Sequence, residues 1–241
     1  MKRAAADGGM SASLDVVVPV RNEEASIEQF CARIAALGYL EALVVVDNAS
    51  TDETLARLQR YPQVRVILHA TDEGYGASIR DGIAASAAEL IVIIDADLEY
   101  PPETIPVIVA ALEQHPVVYG SRFLGEQPPD MPLVRRIGNR LISGIYNRLF
   151  HQRTTDLYTG LKGLRRNALP LAALRRPGFE HVLELGVMIS TAGLTIHEVP
   201  VAYVPRSRGR SKMRHVRETV KFAGFLFAYW LRYFFFFGLG R

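Results

Sequence analysis

The chain has 241 residues, 49% of them hydrophobic, which suits one large α/β domain with an extension and is too short for two domains with separate cores. One cysteine, Cys31, excludes a disulfide framework and a cysteine-built zinc site, and its place in a helical pattern reads as a small buried apolar residue. The net charge of +3 hides a division: Met1 to Pro132 carries 9 Lys/Arg against 20 Asp/Glu, and Leu133 to Arg241 carries 19 against 5, so the two halves face different partners.

Met1 to Ser13 is small and polar and lacks the apolar region of a signal peptide. It reads as a disordered tail (1–13), and the active part is expected to face the cytosol. Five short Val- and Ile-rich runs follow: Leu14 to Val20, Leu43 to Val46, Val64 to Leu68, Leu90 to Ile94 and Val117 to Tyr119. Segments with helical spacing separate them, the pattern of a parallel sheet covered by helices on both faces. Ile27, Phe30, Ile34 and Leu37 mark the first helix, which Gly38 stops. Ser50-Thr51-Asp52-Glu53 fits a capping box opening the second. Thr71 to Gly76 is a glycine-rich turn leading into a helix near Ala77, suited either to close approach of a ligand or simply to a sharp bend.

The first strand is followed by Pro19-Val20-Arg21-Asn22, not by the glycine-rich turn of a dinucleotide-dependent oxidoreductase. Two later runs end abruptly in carboxylates, Val46-Asp47-Asn48 and Ile94-Asp95-Ala96-Asp97. Open α/β sheets bind ligands at the carboxyl ends of their strands, so these groups fall on the crevice rim, where they are able to ligate a cation or accept from ribose and base. Strand-end aspartates also serve as helix caps. If strand geometry persists, Asp95 and Asp97 point in opposite directions, and Glu99 joins Asp97.

In the second half, Arg206, Arg208, Arg210, Lys212, Arg214 and Arg217 form an uninterrupted basic stretch, and Val220 to Gly238 is apolar and aromatic around Lys221 and Arg232. Residues 214–241 therefore read as a helical segment attached to an anionic membrane surface, preferably lying in the headgroup region, with a spanning hairpin or a helix packed on partner transmembrane segments as the alternatives. Nucleic acid is disfavoured, because the aromatic residues lie in a phenylalanine-rich helix rather than on a stacking strand.

Together, Val18-Pro19-Val20-Arg21-Asn22-Glu23-Glu24, Val45-Val46-Asp47-Asn48-Ala49-Ser50-Thr51-Asp52, Asp95-Ala96-Asp97-Leu98-Glu99 and Gly120-Ser121-Arg122-Phe123 resemble the inverting family 2 glycosyltransferases of GT-A fold. Thr155-Asp156-Leu157-Tyr158-Thr159-Gly160 with Lys162 and Arg165, Glu198-Val199-Pro200-Val201, and Arg206 to Lys212 look like the polyprenol-phosphate hexosyltransferases, the branch of dolichol-phosphate mannose synthase. The resemblance implies a GT-A catalytic domain over 14–213, with a mostly parallel central sheet. Pro19, Arg21, Glu23, Val45 and Asp47 would hold base and ribose. Asp95, Ala96, Asp97 and Glu99 would bind the donor diphosphate through Mg²⁺ or Mn²⁺, the metal ligands being Asp95, Asp97 and Glu99. Arg122, Arg206 and Lys212 would neutralise phosphate charge, and Asp97, Arg122 and Asp156 would be the catalytic set, with Asp156 the extra acidic group near the reacting centre. Three positions depart from the family pattern: Asn48-Ala49 stands for an aspartate and a glycine, Arg21 for an aromatic residue, and Glu99 for glutamine or histidine.

The implied reaction transfers a hexose from GDP-mannose or a UDP-hexose to a polyprenyl phosphate at the cytoplasmic face of a membrane. A membrane-protein partner or a homo-oligomer fits the same picture. The alternatives are a sugar or lipid hydroxyl acceptor and a non-catalytic nucleotide-sugar or lipid-binding subunit.

Overall fold

A computed structural model describes residues 12–124, 131–204, 222 and 224–231. The five apolar runs form β1 (Leu14–Val20), β2 (Leu43–Asn48), β3 (Arg65–His69), β4 (Leu90–Ile93) and β5 (Val117–Ser121). Two further strands, β6 (Lys162–Arg165) and β7 (His197–Pro200), complete a seven-stranded sheet of order β3-β2-β1-β4-β6-β5-β7. Pairing is parallel throughout except at β6, which runs antiparallel to both β4 and β5. The mostly parallel sheet holds, with one reversed strand at its centre that the apolar runs alone do not reveal.

β1, β2, β4 and β5 bury both faces, as the inner strands of a sheet covered on two sides must, while the edge strands β3 and β7 are partly exposed. Val17, Val44, Ile91, Ile93 and Tyr119 face a layer built by α3 (Tyr75–Ala84), α5 (Leu133–Phe150) and α6 (His181–Thr191). Val16, Val18, Val45, Val92 and Val118 face α1 (Ile27–Ala36), α2 (Thr54–Leu58) and α4 (Ile105–Leu112). At about 1.5–3 kcal/mol for each fully buried aliphatic side chain, these two layers dominate the stability of the fold. Cys31 sits in the second layer, where burial pushes its thiol up to about 12, so it is an inert packing residue.

The end of α1 follows the sequence: the helix stops at Ala36 and Gly38 takes a φ of 78°. The capping box at residues 50–53 does not form. Asp52 Oδ1 accepts from the Thr54 amide (3.0 Å), Ser50 Oγ accepts from the Asn22 amide (2.9 Å), and the Glu53 amide donates to Glu24 (3.1 Å). Apart from the Asp52 contact with Thr54, the polar groups stitch the β1 and β2 loops together instead of closing on their own helix. Asn22 and Ala49, in those loops, have φ of 52° and 56°, a left-handed conformation that asparagine tolerates and alanine disfavours.

Beyond β7, residue 222 and residues 224–231 are helical. Phe222 and Leu226 are fully buried in the layer of α5 and α6, while Phe227 is 55% and Leu231 36% exposed. Among the described residues no helix is long and apolar enough to cross a membrane. Most of the 1–13 tail, the basic run from Arg206 to Arg217 with Lys212, and the phenylalanine run lie outside the described residues.

Candidate active site

A cavity of about 430 Å³ opens at the carboxyl ends of β1, β2 and β4. Its first end is lined by Pro19 near the end of β1, by Arg21 and Glu23 after it, by Asn48 ending β2, and by Asp72. Arg21 forms an ion pair with Asp72, which also accepts from Asn48 Nδ2 (2.6 Å). Asp47 and Val45 do not line the cavity. Val45 is buried inside the sheet, and Asp47 lies behind Asn48, its Oδ1 accepting from the Ser50 amide (2.8 Å) and its Oδ2 buried with no hydrogen-bond donor among the described residues.

The middle of the cavity is the turn Asp95-Ala96-Asp97. β4 ends at Ile93, so the expected alternation of Asp95 and Asp97 along a strand is replaced by a tight turn with Leu98 at φ 63°. Asp95 Oδ1 accepts from the Tyr75 hydroxyl at 3.0 Å. The Tyr75 ring stacks on Phe179 with centroids 5.1 Å apart, and burial, reinforced by Asp95, raises its phenol well above the ordinary range, so it remains a donor. On the other side, a side chain at Gly160 would overlap Asp95 Oδ2. Asp97 Oδ1 accepts from the Glu99 amide (2.9 Å) and its carboxylate lines the cavity.

Beyond this turn lie Glu99, Tyr100, Arg122 and Arg135. Arg135 Nη1 is 3.5 Å from Glu99 Oε1 and 3.3 Å from the Tyr203 hydroxyl. Arg122 grips Asp156 through two side-chain hydrogen bonds of 2.7 and 2.8 Å and one from its own amide (3.1 Å), with Tyr100 5.5 Å below the guanidinium. Asp156 is fully buried and does not line the cavity; only its partner does. Glu198 on β7 fixes this loop by accepting from the amides of Thr155 (2.9 Å) and Asp156 (3.0 Å) and from the Thr154 hydroxyl (2.6 Å). Lys162 is buried behind both aspartates, donating to the Thr159 carbonyl with its ammonium 5.3 Å over the Tyr119 ring. Burial lowers its pKa to about 8, against the opposing pull of Asp95 and Asp156.

The remaining wall is apolar: Met131, Val134, Ile142, Tyr158, Val182 and Phe222. One cavity thus holds a polar end, a carboxylate turn, two arginines and an apolar flank. Of the sequence-predicted residues it brings together Pro19, Arg21, Glu23, Asp95, Ala96, Asp97, Glu99 and Arg122, whereas Arg206 and Lys212 lie outside the described residues. Tyr75, Asp72 and Arg135 were not singled out. Tyr75 sits inside the glycine-rich turn that was, and Arg135 has no strand end to mark it.

Asp95, Asp97 and Glu99 do not form a compact triad. Among the described residues the one set of three ligand atoms lying within 4.8 Å of each other is His69, Glu73 and Asp81, on β3, the loop after it and α3. Asp95 and Asp97 still supply carboxylate oxygens at the cavity wall, the donor type that magnesium and manganese prefer.

The Glycosyl transferase family 2 model matches residues 15–170. A dolichol-phosphate mannosyltransferase of Pyrococcus furiosus is 27% identical over 88% of this chain, which spans 64% of that relative's length. An undecaprenyl-phosphate 4-deoxy-4-formamido-L-arabinose transferase of Edwardsiella ictaluri is 31% identical over 83% of this chain and 62% of its own. Among solved structures, glucosyl-3-phosphoglycerate synthase from Mycobacterium tuberculosis, in complex with Mn²⁺, UDP and glucosyl-3-phosphoglycerate, superposes with a TM-score of 0.66 at 22% identity, over 92% of this chain and 79% of that one. That likeness gives the GT-A fold; the match to the family over most of the sheet and the Asp95-Ala96-Asp97 turn shows that this chain is a glycosyltransferase and belongs to glycosyl transferase family 2.

Proposed function

We propose that the protein transfers a hexose from a nucleotide-sugar to a polyprenyl phosphate at a membrane surface, with inversion at the anomeric carbon. The observation that carries this reading is the apolar flank of the cavity beside Arg122 and Arg135, directly beyond the Asp95-Ala96-Asp97 turn. A lipid monophosphate needs such a pairing of cations and apolar wall. The names of the Pyrococcus and Edwardsiella relatives point to the same acceptor class.

The nucleoside end of the donor fits against Pro19, Arg21, Glu23, Asn48 and Asp72, and its diphosphate reaches the carboxylate turn. Asp97 and Asp95 would hold Mg²⁺ or Mn²⁺, the remaining ligands coming from the diphosphate and water as is usual for these ions. When bound, that ion neutralises charge on the departing nucleoside diphosphate. Tyr75 and Gly160 fix Asp95 in place. Arg206 and Lys212 are retained as additional cations for donor phosphate.

The acceptor phosphate has a second pKa of about 6, so its dianion is abundant at neutral pH and needs no strong base. One of its oxygens attacks the anomeric carbon as the bond from that carbon to the diphosphate breaks, and Arg122 and Arg135 hold the attacking group in line. Asp156, bonded twice to Arg122, positions that guanidinium rather than taking a proton. We place the enzyme on the cytoplasmic face of an anionic membrane, held peripherally with the C-terminal segment taking part.

The test is a panel of GDP-mannose, UDP-glucose and UDP-N-acetylglucosamine with a short-chain polyprenyl phosphate, scored by mass transfer into the lipid phase. Transfer to the phosphate, lost with a chelator and lost in a folded Asp97→Ala variant, is expected. Efficient transfer to free polyprenol or a sugar hydroxyl with none to the phosphate overturns the assignment.

A further inference from the structure

The segment around β3 and α3 carries a group of polar side chains that the carboxylate turn does not use. His69 ends β3, Glu73 lies in the loop that follows, and Asp81 lies in α3. Each offers one ligand atom, and the three atoms lie within 4.8 Å of one another. None of the three lines the catalytic cavity.

The hydrogen bonds around Asn48 fix the state of the His69 ring. Asn48 Nδ2 donates to Asp72 Oδ1 (2.6 Å) and Asn48 Oδ1 accepts from the Glu73 amide (2.9 Å), so it is the amide oxygen that stands 3.0 Å from His69 Nδ1. His69 Nδ1 must therefore donate. The neutral ring then presents a lone pair at Nε2, and a histidine whose other nitrogen is held by a carbonyl oxygen is the usual form of a metal ligand.

That lone pair has no donor to receive from. The His69 side chain is 5% exposed, and its Nε2 has no hydrogen-bond partner among the described residues. Asp81 Oδ2 is 3.2 Å away, out of line for a hydrogen bond. A proton on Nε2 would leave that misalignment unused, whereas an ion would use it. Two ligand atoms about 2.0–2.1 Å from one zinc-sized ion and 3.2 Å apart subtend about 100–106° at it, close to the tetrahedral angle. Arg80 holds the Asp81 carboxylate through Nε (2.8 Å) and Nη2 (3.1 Å), and the exposed Glu73 adds a second negative charge that offsets the arginine. One imidazole nitrogen, two carboxylate oxygens and a position open to water make a four-coordinate set of the kind zinc takes.

We propose that His69, Glu73 and Asp81 form a second divalent-cation site, of zinc type, separate from the Asp95-Ala96-Asp97 turn. Its role is structural: the ion ties β3 to α3 across the loop that carries Asp72. Asn48 and Asp72 line the polar end of the cavity, and Tyr75 at the start of α3 holds Asp95, so filling the site stiffens the wall against which a donor binds. Binding there does not depend on which acceptor the enzyme uses.

The experiment takes the untagged full chain, stripped of metal, in an Asp97→Ala background that disables the carboxylate turn. Zinc is titrated in competition with a chromophoric chelator, cobalt(II) absorption reports the coordination number, and thermal melts with and without zinc report the link to the fold. One tightly held equivalent of zinc, an intense four-coordinate cobalt spectrum and a raised Tm are expected. His69→Gln removes the nitrogen ligand and Glu73→Gln an exposed oxygen ligand. Each should weaken zinc by at least the roughly 10–100-fold that loss of an outer-shell partner costs, and should cancel the rise in Tm. Zinc affinity that either substitution leaves unchanged overturns the proposal, as does a parent with no stoichiometric site or a six-coordinate cobalt spectrum. If His69→Gln does not fold, the exposed Glu73→Gln decides. A protein that holds zinc here and yet transfers no sugar to any polyprenyl phosphate would sink the proposed function and leave this site standing.

Discussion

Gly160→Ala tests the carboxylate turn without altering any charge. Gly160 lies in no left-handed conformation, so alanine fits the backbone and the effect is purely one of space. The new methyl would overlap Asp95 Oδ2, 2.9 Å from Tyr100 Cε2 and 3.0 Å from Asp95 Cγ. Carbon atoms at optimal contact stand about 3.5–4.0 Å apart, so the carboxylate must retreat by about 0.5–1 Å. Tyr75 on its other side limits where it goes. A misplacement of about 1 Å in a catalytic constellation costs up to about 10² in rate, while local overpacking costs about 1–3 kcal/mol of stability. Steady-state kinetics with varied metal and donor, beside a urea titration, should therefore show kcat/KM lowered by one to two decades (~10–10²) in a folded protein, together with weaker metal dependence. If kcat/KM and the metal response are both unchanged, Asp95 is not held against Gly160 for catalysis and the account of the turn is wrong.

Two other outcomes follow from buried charge. Asp156→Asn leaves the Arg122 guanidinium buried without its counter-ion, which should cost about 3–5 kcal/mol in urea unfolding and lower kcat without removing the acidic limb of the pH–rate profile; loss of that limb would instead make Asp156 a base. His181 is buried with neither ring nitrogen hydrogen-bonded among the described residues, and burial, with Lys162 adding to it, lowers its pKa to about 3. The unfolded chain takes up that proton below about pH 6.5 and the folded one does not, so stability should fall between about pH 6.5 and 3 by on the order of 5 kcal/mol. His181→Leu should flatten this slope, and parallel slopes in pH-dependent denaturation would refute the assignment.

The sheet's parallel core was legible because β1, β2, β4 and β5 are buried on both faces and read as continuous Val and Ile runs. β6 was not, because Lys162-Gly163-Leu164-Arg165 carries a charge at each end and a glycine whose absent side chain leaves room for Ile108 and Leu112 of α4. β7, an edge strand ending in Pro200, gives no apolar run either. At the site, Asp95 and Asp97 stand out as strand-end carboxylates, while Pro19 and Arg122 are marked only by the resemblance to the family's motifs. Arg135 and Phe222 are marked by neither, since they come from helices whose approach to the cavity depends on tertiary packing. Glu198 was visible only as part of a motif, and its task of holding the Thr154–Asp156 loop depends on a contact far along the chain.

The reversed central strand also sets an order of events during synthesis. A nascent chain that has reached Ser121 possesses β4 and β5 but not β6, the strand that joins them. Until Lys162–Arg165 emerge, two apolar strands keep open inner edges, the kind of surface that recruits other chains. The carboxylate turn lacks its Gly160 wall for the same interval. Closure of the sheet and assembly of the carboxylate turn are therefore one event, and a lesion in β6 should appear in the cell as a failure of maturation, lost protein rather than an inactive enzyme.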